Sequence, residues 1–400
     1  MPERRRTGLW VTGVLAFTAA GAGLFFVSSA RRRPDGATTG KTAAASAVID
    51  DFASQEALDD GLRNGDPKSL AVLQQRVAAT SNAPHKALTD AEGEQWLKTL
   101  AALRAGFLSY EPASRATAAV VAAYVLDQFS VDPAPRQWLE ALAPIHDVFI
   151  ASLADSDPIV RKLALNEVRR FWVWMPGRSL TPAEEDAVAA WKEGLHPAVV
   201  RCLASDDRDT RIAAINTLGY LPVDVAAAPA AAYLDDPSAD VRRQVLISFA
   251  GRPNILTTDM LLKRLHDADE GIREASKSTL KVRGLNDELI SLGGLLTSPK
   301  ADQRASVIAL VKDRNDIDPI VWLLQLSRDA DESVRLHAVE ALAAHQPQTV
   351  TIKRRIIEMA RSDASPQVAE AAGKLLPSPE ETTAALPPLP GSSLLNPKAN

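Results

Sequence analysis

LDDPSADVRRQVLISF, residues 234–249, recurs along the chain in altered spelling. Its copies are LADSDPIVRKLALNEV (153–168), LASDDRDTRIAAINTL (203–218), LHDADEGIREASKSTL (265–280), LTSPKADQRASVIALV (296–311) and SRDADESVRLHAVEAL (327–342). A final copy, RSDASPQVAEAAGKLL (361–376), has Ala369 where the others have arginine. That arginine column reads Arg161, Arg211, Arg242, Arg273, Arg304 and Arg335. From Arg211 to Arg335 each step is 31 residues, whereas the step before is 50 and the step after is 34.

Other columns travel with the arginine. Six residues earlier stand Asp155, Ser205, Asp236, Asp267, Ser298, Asp329 and Asp363. Their short side-chain oxygens can accept a free backbone N–H in a turn or at a helix start. One residue earlier stand Val160, Val241, Ile272 and Val334, with Thr210 and Gln303 as exceptions. Seven residues later stand Val168, Leu218, Phe249, Leu280, Val311, Leu342 and Leu376. Apolar offsets of −1, +4 and +7 trace one helix face, so each unit reads as a helix, an Asp-rich turn and a second helix opened by the Val-Arg pair. A two-helix unit of this size cannot bury its own apolar face. Stacking several copies does, and that predicts an all-α solenoid over residues 146–376.

Asp in the turn, Val-Arg at the second helix and Ala/Leu beyond resemble HEAT repeats, in the short variety associated with phycobilisome bilin lyases. The resemblance implies that the repeated Asp and Arg form a ladder between neighbouring units. On this chain the ladder residues are Arg161, Arg211, Arg242, Arg273, Arg304 and Arg335 with Asp155, Asp236, Asp267 and Asp329, each arginine bonding carboxylates or carbonyls next door. A planar guanidinium suits that role because it makes paired hydrogen bonds. Arg304 is expected to be the weak rung, since its own turn offers Ser298 and Lys300.

Residues 47–145 also have a helical pattern. WLKTLAALRAGFLSY and SRATAAVVAAYVLDQF flank Glu111-Pro112 as a helix pair carrying Arg115, and GDPKSLAVLQQRV opens in the same manner. They read as longer, degenerate or capping repeats. Phe171-Trp172-Val173-Trp174-Met175-Pro176-Gly177 reads as an insertion that accounts for the 50-residue step. Trp172 and Trp174 are candidates for contact with a partner, because clustered aromatics make binding hot spots; filling a wedge in the stack is their structural alternative. Residues 377–400, with Pro387-Pro388-Leu389-Pro390, read as a proline-rich disordered tail.

At the other end, residues 8–28 (GLWVTGVLAFTAAGAGLFFVS) carry no charge. At about 1.5 Å per residue such a helix spans roughly 30 Å, the thickness of a bilayer core. Residues 1–7 are its basic tail and 29–46 a linker. A cleaved signal peptide is the alternative, with Arg4, Arg5 and Arg6 as its basic region and Ser28-x-Ala30 as the cleavage site. Arg31, Arg32 and Arg33 on the far side nearly balance the flanking charge, and the body is expected on the extracytoplasmic side. Gly36-Ala37-Thr38-Thr39-Gly40-Lys41-Thr42 has one residue too few between its glycines for a phosphate loop, and reads as linker.

Little in the sequence points to chemistry. The net charge of −5 splits into +5 over residues 1–41 (seven basic, two acidic) and −10 over the rest. An acidic body argues against nucleic acid, which needs a basic face. Cys202 is the one cysteine, which excludes an intrachain disulfide. None of His85, His146, His196, His266, His337 and His345 precedes Glu, and no zinc, nucleophile-elbow or calcium-loop motif is present. No catalytic, cofactor-binding or metal residue is therefore expected.

The expected function is a membrane-tethered, noncatalytic scaffold that binds a protein or peptide. The alternatives are an enzyme or accessory subunit resembling bilin lyase HEAT proteins, and a nucleic-acid binder like some HEAT-type DNA glycosylases. Deleting residues 1–33 is expected to free a strongly helical protein from the membrane fraction. Circular dichroism checks this, and a substantial β signal would contradict the fold.

Overall fold

The computed structural model describes residues 54–82, 88–129, 138–173, 180–221, 227–312, 314 and 316–376. All of them lie in the unit Ser54–Asn400. The apolar segment 8–28, the linker, His85, Trp174 and the tail 377–400 lie outside the described residues.

Among the described residues every regular element is helical. Apart from a short 3-10 turn (Phe107–Ser109), the described helices come in nine pairs. They are α1 (Gln55–Arg63) with α2 (Pro67–Asn82), α3 (Asp90–Gly106) with α4 (Pro112–Phe129), and α5 (Leu142–Leu153) with α6 (Pro158–Val173). Next come α7 (Pro182–Cys202) with α8 (Arg208–Gly219), a 3-10 helix (Ala228–Asp235) with α9 (Ala239–Phe249), and α10 (Thr258–Arg264) with α11 (Glu270–Val282). The last three are α12 (Asp287–Leu296) with α13 (Ala301–Val311), α14 (Pro319–Leu326) with α15 (Glu332–Ala344), and α16 (Val350–Ser362) with α17 (Pro366–Lys374). The expected boundary at residue 145 falls inside α5, so the degenerate pairs run into the regular ones without a break. No described helix is long and apolar enough to cross a membrane.

Local chemistry starts these helices where it should. Thr89 with Glu92, and Thr181 with Glu184, form reciprocal capping boxes at α3 and α7. Asp207, Asp269 and Asp331 cap α8, α11 and α15, each accepting an N–H of the first turn. Those caps stand four residues before the repeat arginine. The column six residues before it works differently. Asp155, Asp236, Asp267, Asp329 and Asp363 each accept the N–H two residues on, fixing the turn. The 50-residue step is not explained by the aromatic insertion alone. α6 runs 16 residues to Val173, and α7 runs 21 residues with Pro197 inside it.

From α2 to α11, and again from α13 to α17, the second helices of successive pairs lie side by side; among the first helices α1, α3, α5 and α7 do the same, as do α10 with α12 and α14 with α16. Their inner faces make the core. Val160, Val241, Ile272 and Val334 are fully buried, as are Leu218, Phe249, Leu280, Val311 and Leu342. A further column, three residues after the arginine, is equally buried: Ala164, Ala214, Val245, Ser276, Val307 and Ala338. Its small side chains suit closely packed rows. Gly106 shows how close the approach becomes. A Cβ there would lie 1.9 Å from the Leu62 carbonyl oxygen, so α3 ends directly against α1. Gly106→Ala is expected to lower stability by about 1–3 kcal/mol through overpacking. Urea unfolding checks it, and an unchanged midpoint would contradict the contact.

Candidate functional site

The polar groups that recur along the stack meet between turns. Arg242 shows the arrangement. Its Nη1 donates to the carbonyl oxygens of Asp236 (2.9 Å) and Pro237 (3.2 Å), in the turn of its own pair. Its Nε and Nη2 donate to the two carboxylate oxygens of Asp267 at 2.9 and 2.6 Å, in the turn of the next pair. One side chain thus ties two turns together and leaves only 13% of itself exposed, with Asp267 at 4%. Arg211 holds Asp236 at 2.8 and 3.1 Å, and Arg304 holds Asp329 at 2.7 Å through both nitrogens. Arg335 holds Asp363 in the same fashion. Arg115, before the regular array, holds Asp155 at 2.5 and 2.9 Å.

The ladder departs from expectation at three arginines. Arg304 is not a weak rung. From its own turn it needs only a backbone carbonyl, which Ser298 supplies at 2.9 Å. The substitution of Ser298 for Asp instead deprives the preceding Arg273, whose bonds go only to the carbonyls of Asp267 and Ala268 in its own turn. Arg161 meets the other serine of the column. Its Nη2 donates to Ser205 Oγ at 3.1 Å, while its Nε is buried without a hydrogen-bond partner.

The paired carboxylates carry the mark of their surroundings. Burial pushes Asp155, Asp267 and Asp363 up, but the guanidinium bonds and the turn N–H outweigh it and hold each carboxyl below its ordinary value. On the outside runs a second line of charge: Lys162–Asp209 at 3.8 Å, Arg208–Asp240 at 3.0 Å and Arg243–Asp269 at 3.2 Å. These side chains are about a third to a half exposed, and such pairs add little stability.

The aromatic insertion divides between core and rim. Phe171 is buried against Phe149 and Trp191, with ring centroids 5.9 Å away in both cases. Trp191 Nε1 donates to the Leu142 carbonyl at 2.7 Å. Trp172 is half-buried in the last turn of α6, and its carbonyl accepts a bond from Lys192 Nζ at 3.4 Å. Beside it lies a cluster that the repeat pattern conceals. Arg170 donates to Asp127 (2.7 Å) and Glu167 (2.9 Å) and sits over the rings of Tyr124 and Phe171. Arg169 sits over Tyr220 at 5.5 Å. Burial pushes the Glu167 carboxyl above its ordinary value, although Arg170 opposes this. Asp127 and Arg170 lie 43 residues apart, so only the stacking of α4 on α6 brings them together.

The remaining candidates for chemistry stand apart. Cys202 is buried, its Sγ is 3.4 Å from the Leu153 carbonyl, and burial pushes its thiol up to about 11, which disfavours the reactive thiolate. His266 Nε2 lies 2.8 Å from the Gly294 carbonyl. Among the described residues no three His, Cys, Asp or Glu side chains gather to hold a metal ion.

No family model and no curated protein matches the chain. Among solved structures, an engineered protein aligns over 82% of this chain and 97% of its own, at 15% identity and a TM-score of 0.33. Kap121p, solved bound to Pho4p, aligns over 84% of this chain at 13% identity and a TM-score of 0.34. The chain spans 43% of the length of that second protein.

A rung built on depressed carboxyls stabilises the fold above the unfolded carboxylate pKa, and its contribution is lost as pH falls through the folded value. Arg242→Ala is expected to lower stability by about 2–3 kcal/mol at neutral pH. It should also remove part of the loss that acid causes, since Asp267 would then titrate nearer its ordinary value. Chemical unfolding at pH 7 and pH 3 checks both, and equal acid sensitivity of the two proteins would count against the ion pair.

Proposed function

We propose that the chain is a noncatalytic scaffold whose stacked helix pairs, read as short HEAT-like units of about 31 residues, hold a protein or peptide partner. One observation carries the reading. The polar groups that recur from pair to pair are spent on one another between turns, while the outward positions do not recur. Five residues after the six arginines stand Asn166, Asn216, Ile247, Ser278, Ala309 and Glu340, the last four exposed. A regular frame that displays a different side chain from each pair suits recognition of an extended surface. Ile247, 66% exposed on α9, is the apolar member of that column.

Tethering rests on the sequence of residues 8–28 alone. In this proposal that segment anchors the chain, with the stack on the extracytoplasmic side. The acidic balance of the body favours a protein over nucleic acid.

The test is affinity capture with the full chain from membranes of its source, compared with Ile247→Glu/Ala309→Glu. A partner recovered with the parent protein should be lost with the double variant, whose melting temperature should not change. Equal recovery with both would move the binding surface elsewhere, and specific recovery of nucleic acid would overturn the reading.

A further inference from the structure

We infer that the stack has one hinge, between the pair α10/α11 and the pair α12/α13. Four independent features converge there. The first is the missing rung. The repeat position that supplies a carboxylate to the other rungs is Ser298 here; Arg273 makes no bond to it, and the Ser298 hydroxyl donates to Gln303 Oε1 at 2.6 Å. No carboxylate bridges these two turns, whereas full Arg–Asp pairs join the turns on either side, Arg242 with Asp267 and Arg304 with Asp329.

The second feature is distance. Every other pair of neighbouring second helices from α2 to α17 packs closely, but the backbones of α11 and α13 scarcely approach. The third is polarity. Three residues after the arginine the other pairs place Ala164, Ala214, Val245, Val307 and Ala338, and α11 places Ser276, whose buried Oγ has no hydrogen-bond partner. Four residues after it they place Leu165, Ile215, Leu246, Ile308 and Val339, and α11 places Lys277. The face of α11 that should grip its neighbour is therefore poor in apolar surface, the main source of cohesion between stacked pairs.

The fourth is the core. The buried side chains from Leu292 to Ala372 form a separate cluster, to which neither α10 nor α11 contributes. What still joins the two sides is the packing of α12 on α10 and on α11, where Lys281 Nζ lies 2.7 Å from the Asp287 carboxylate. Gly293 lets α12 settle on Leu262 of α10, where an added Cβ would lie 2.6 Å from Leu262 Cδ2, and His266 lies across the same contact from the Gly294 carbonyl. The pivot is thus the contact of α12 with α10 and with the end of α11, and the opening is between α11 and α13. Two rigid bodies turn about it, locked by their rungs and, at the Arg161 seam, by packing.

The other neutral position shows why a missing carboxylate does not suffice. At Arg161 and Ser205 the helices α6 and α8 pack closely, and Thr217 Oγ donates to the Leu165 carbonyl at 3.1 Å. That seam is closed by packing, and the seam at Arg273 is not.

Nitroxide labels test this on the full chain, at exposed positions five residues after successive arginines. Cys202 is buried and escapes labelling. Pulsed-EPR distance distributions are compared for Ile247/Ser278, Ser278/Ala309 and Ala309/Glu340. The middle pair alone should be broad. Ser298→Asp supplies the missing carboxylate and should narrow that distribution to match its neighbours, and adding Arg273→Ala should broaden it again. Equal widths for the three pairs in the parent chain would overturn the hinge, whether or not the variants fold. So would a folded Ser298→Asp protein with unchanged width.

Discussion

The bidentate ion pair between an arginine of one helix pair and an aspartate of the next is the constraint on which the rest of the structure depends. A single pair of helices has no core of its own, and its cohesion comes from apolar faces that are non-directional. Packing can close a seam, as it does at Arg161 and Ser205, but apolar contact alone fixes register loosely. The arginine removes that freedom. Its Nη1 is fixed by carbonyls of its own turn, so its other edge is aimed before the next turn arrives, and the aspartate that meets it is held by its own turn N–H. Both partners are pre-oriented, which lowers the entropic cost of the bond. The rung therefore sets the register between pairs as well as adding stability.

Much of this was legible in the sequence because the parts that matter are local. The arginine column, the Asp column six residues before it and the apolar offsets all fall within one turn and one helix, and the helices stand where those columns place them. What was not legible is the direction of the bond. A sequence shows Ser298 six residues before Arg304 and invites the conclusion that Arg304 suffers. In space Arg304 takes only a carbonyl from that turn, which any residue provides, and the loss falls on Arg273, in the preceding pair. The Arg170 cluster was hidden for a similar reason, since Tyr124, Asp127 and Glu167 gather only when α4 and α6 stack. The change to a 3-10 helix at Ala228–Asp235 has no evident signal either.

The same division bears on function. The side chains most conspicuous in the sequence are the ones the fold consumes, and those left facing outward, such as Ile247 and Glu340, differ from pair to pair. Trp172 lies at the rim of the region where α6 meets α7, beside the Arg170 cluster. A stack whose outward residues vary over a constant frame can present an extended surface of chosen chemistry. A looser seam at Arg273 would let the two halves of that surface adjust to each other.

The most direct test of the central claim is a double-mutant cycle on Arg242 and Asp267, using Arg242→Ala, Asp267→Ala and the double variant in chemical unfolding. If the pair locks neighbouring units, the two losses will not add, and the coupling energy will be at least about 1.5 kcal/mol. Additive losses would mean that each side chain serves its own turn alone, and would contradict the account.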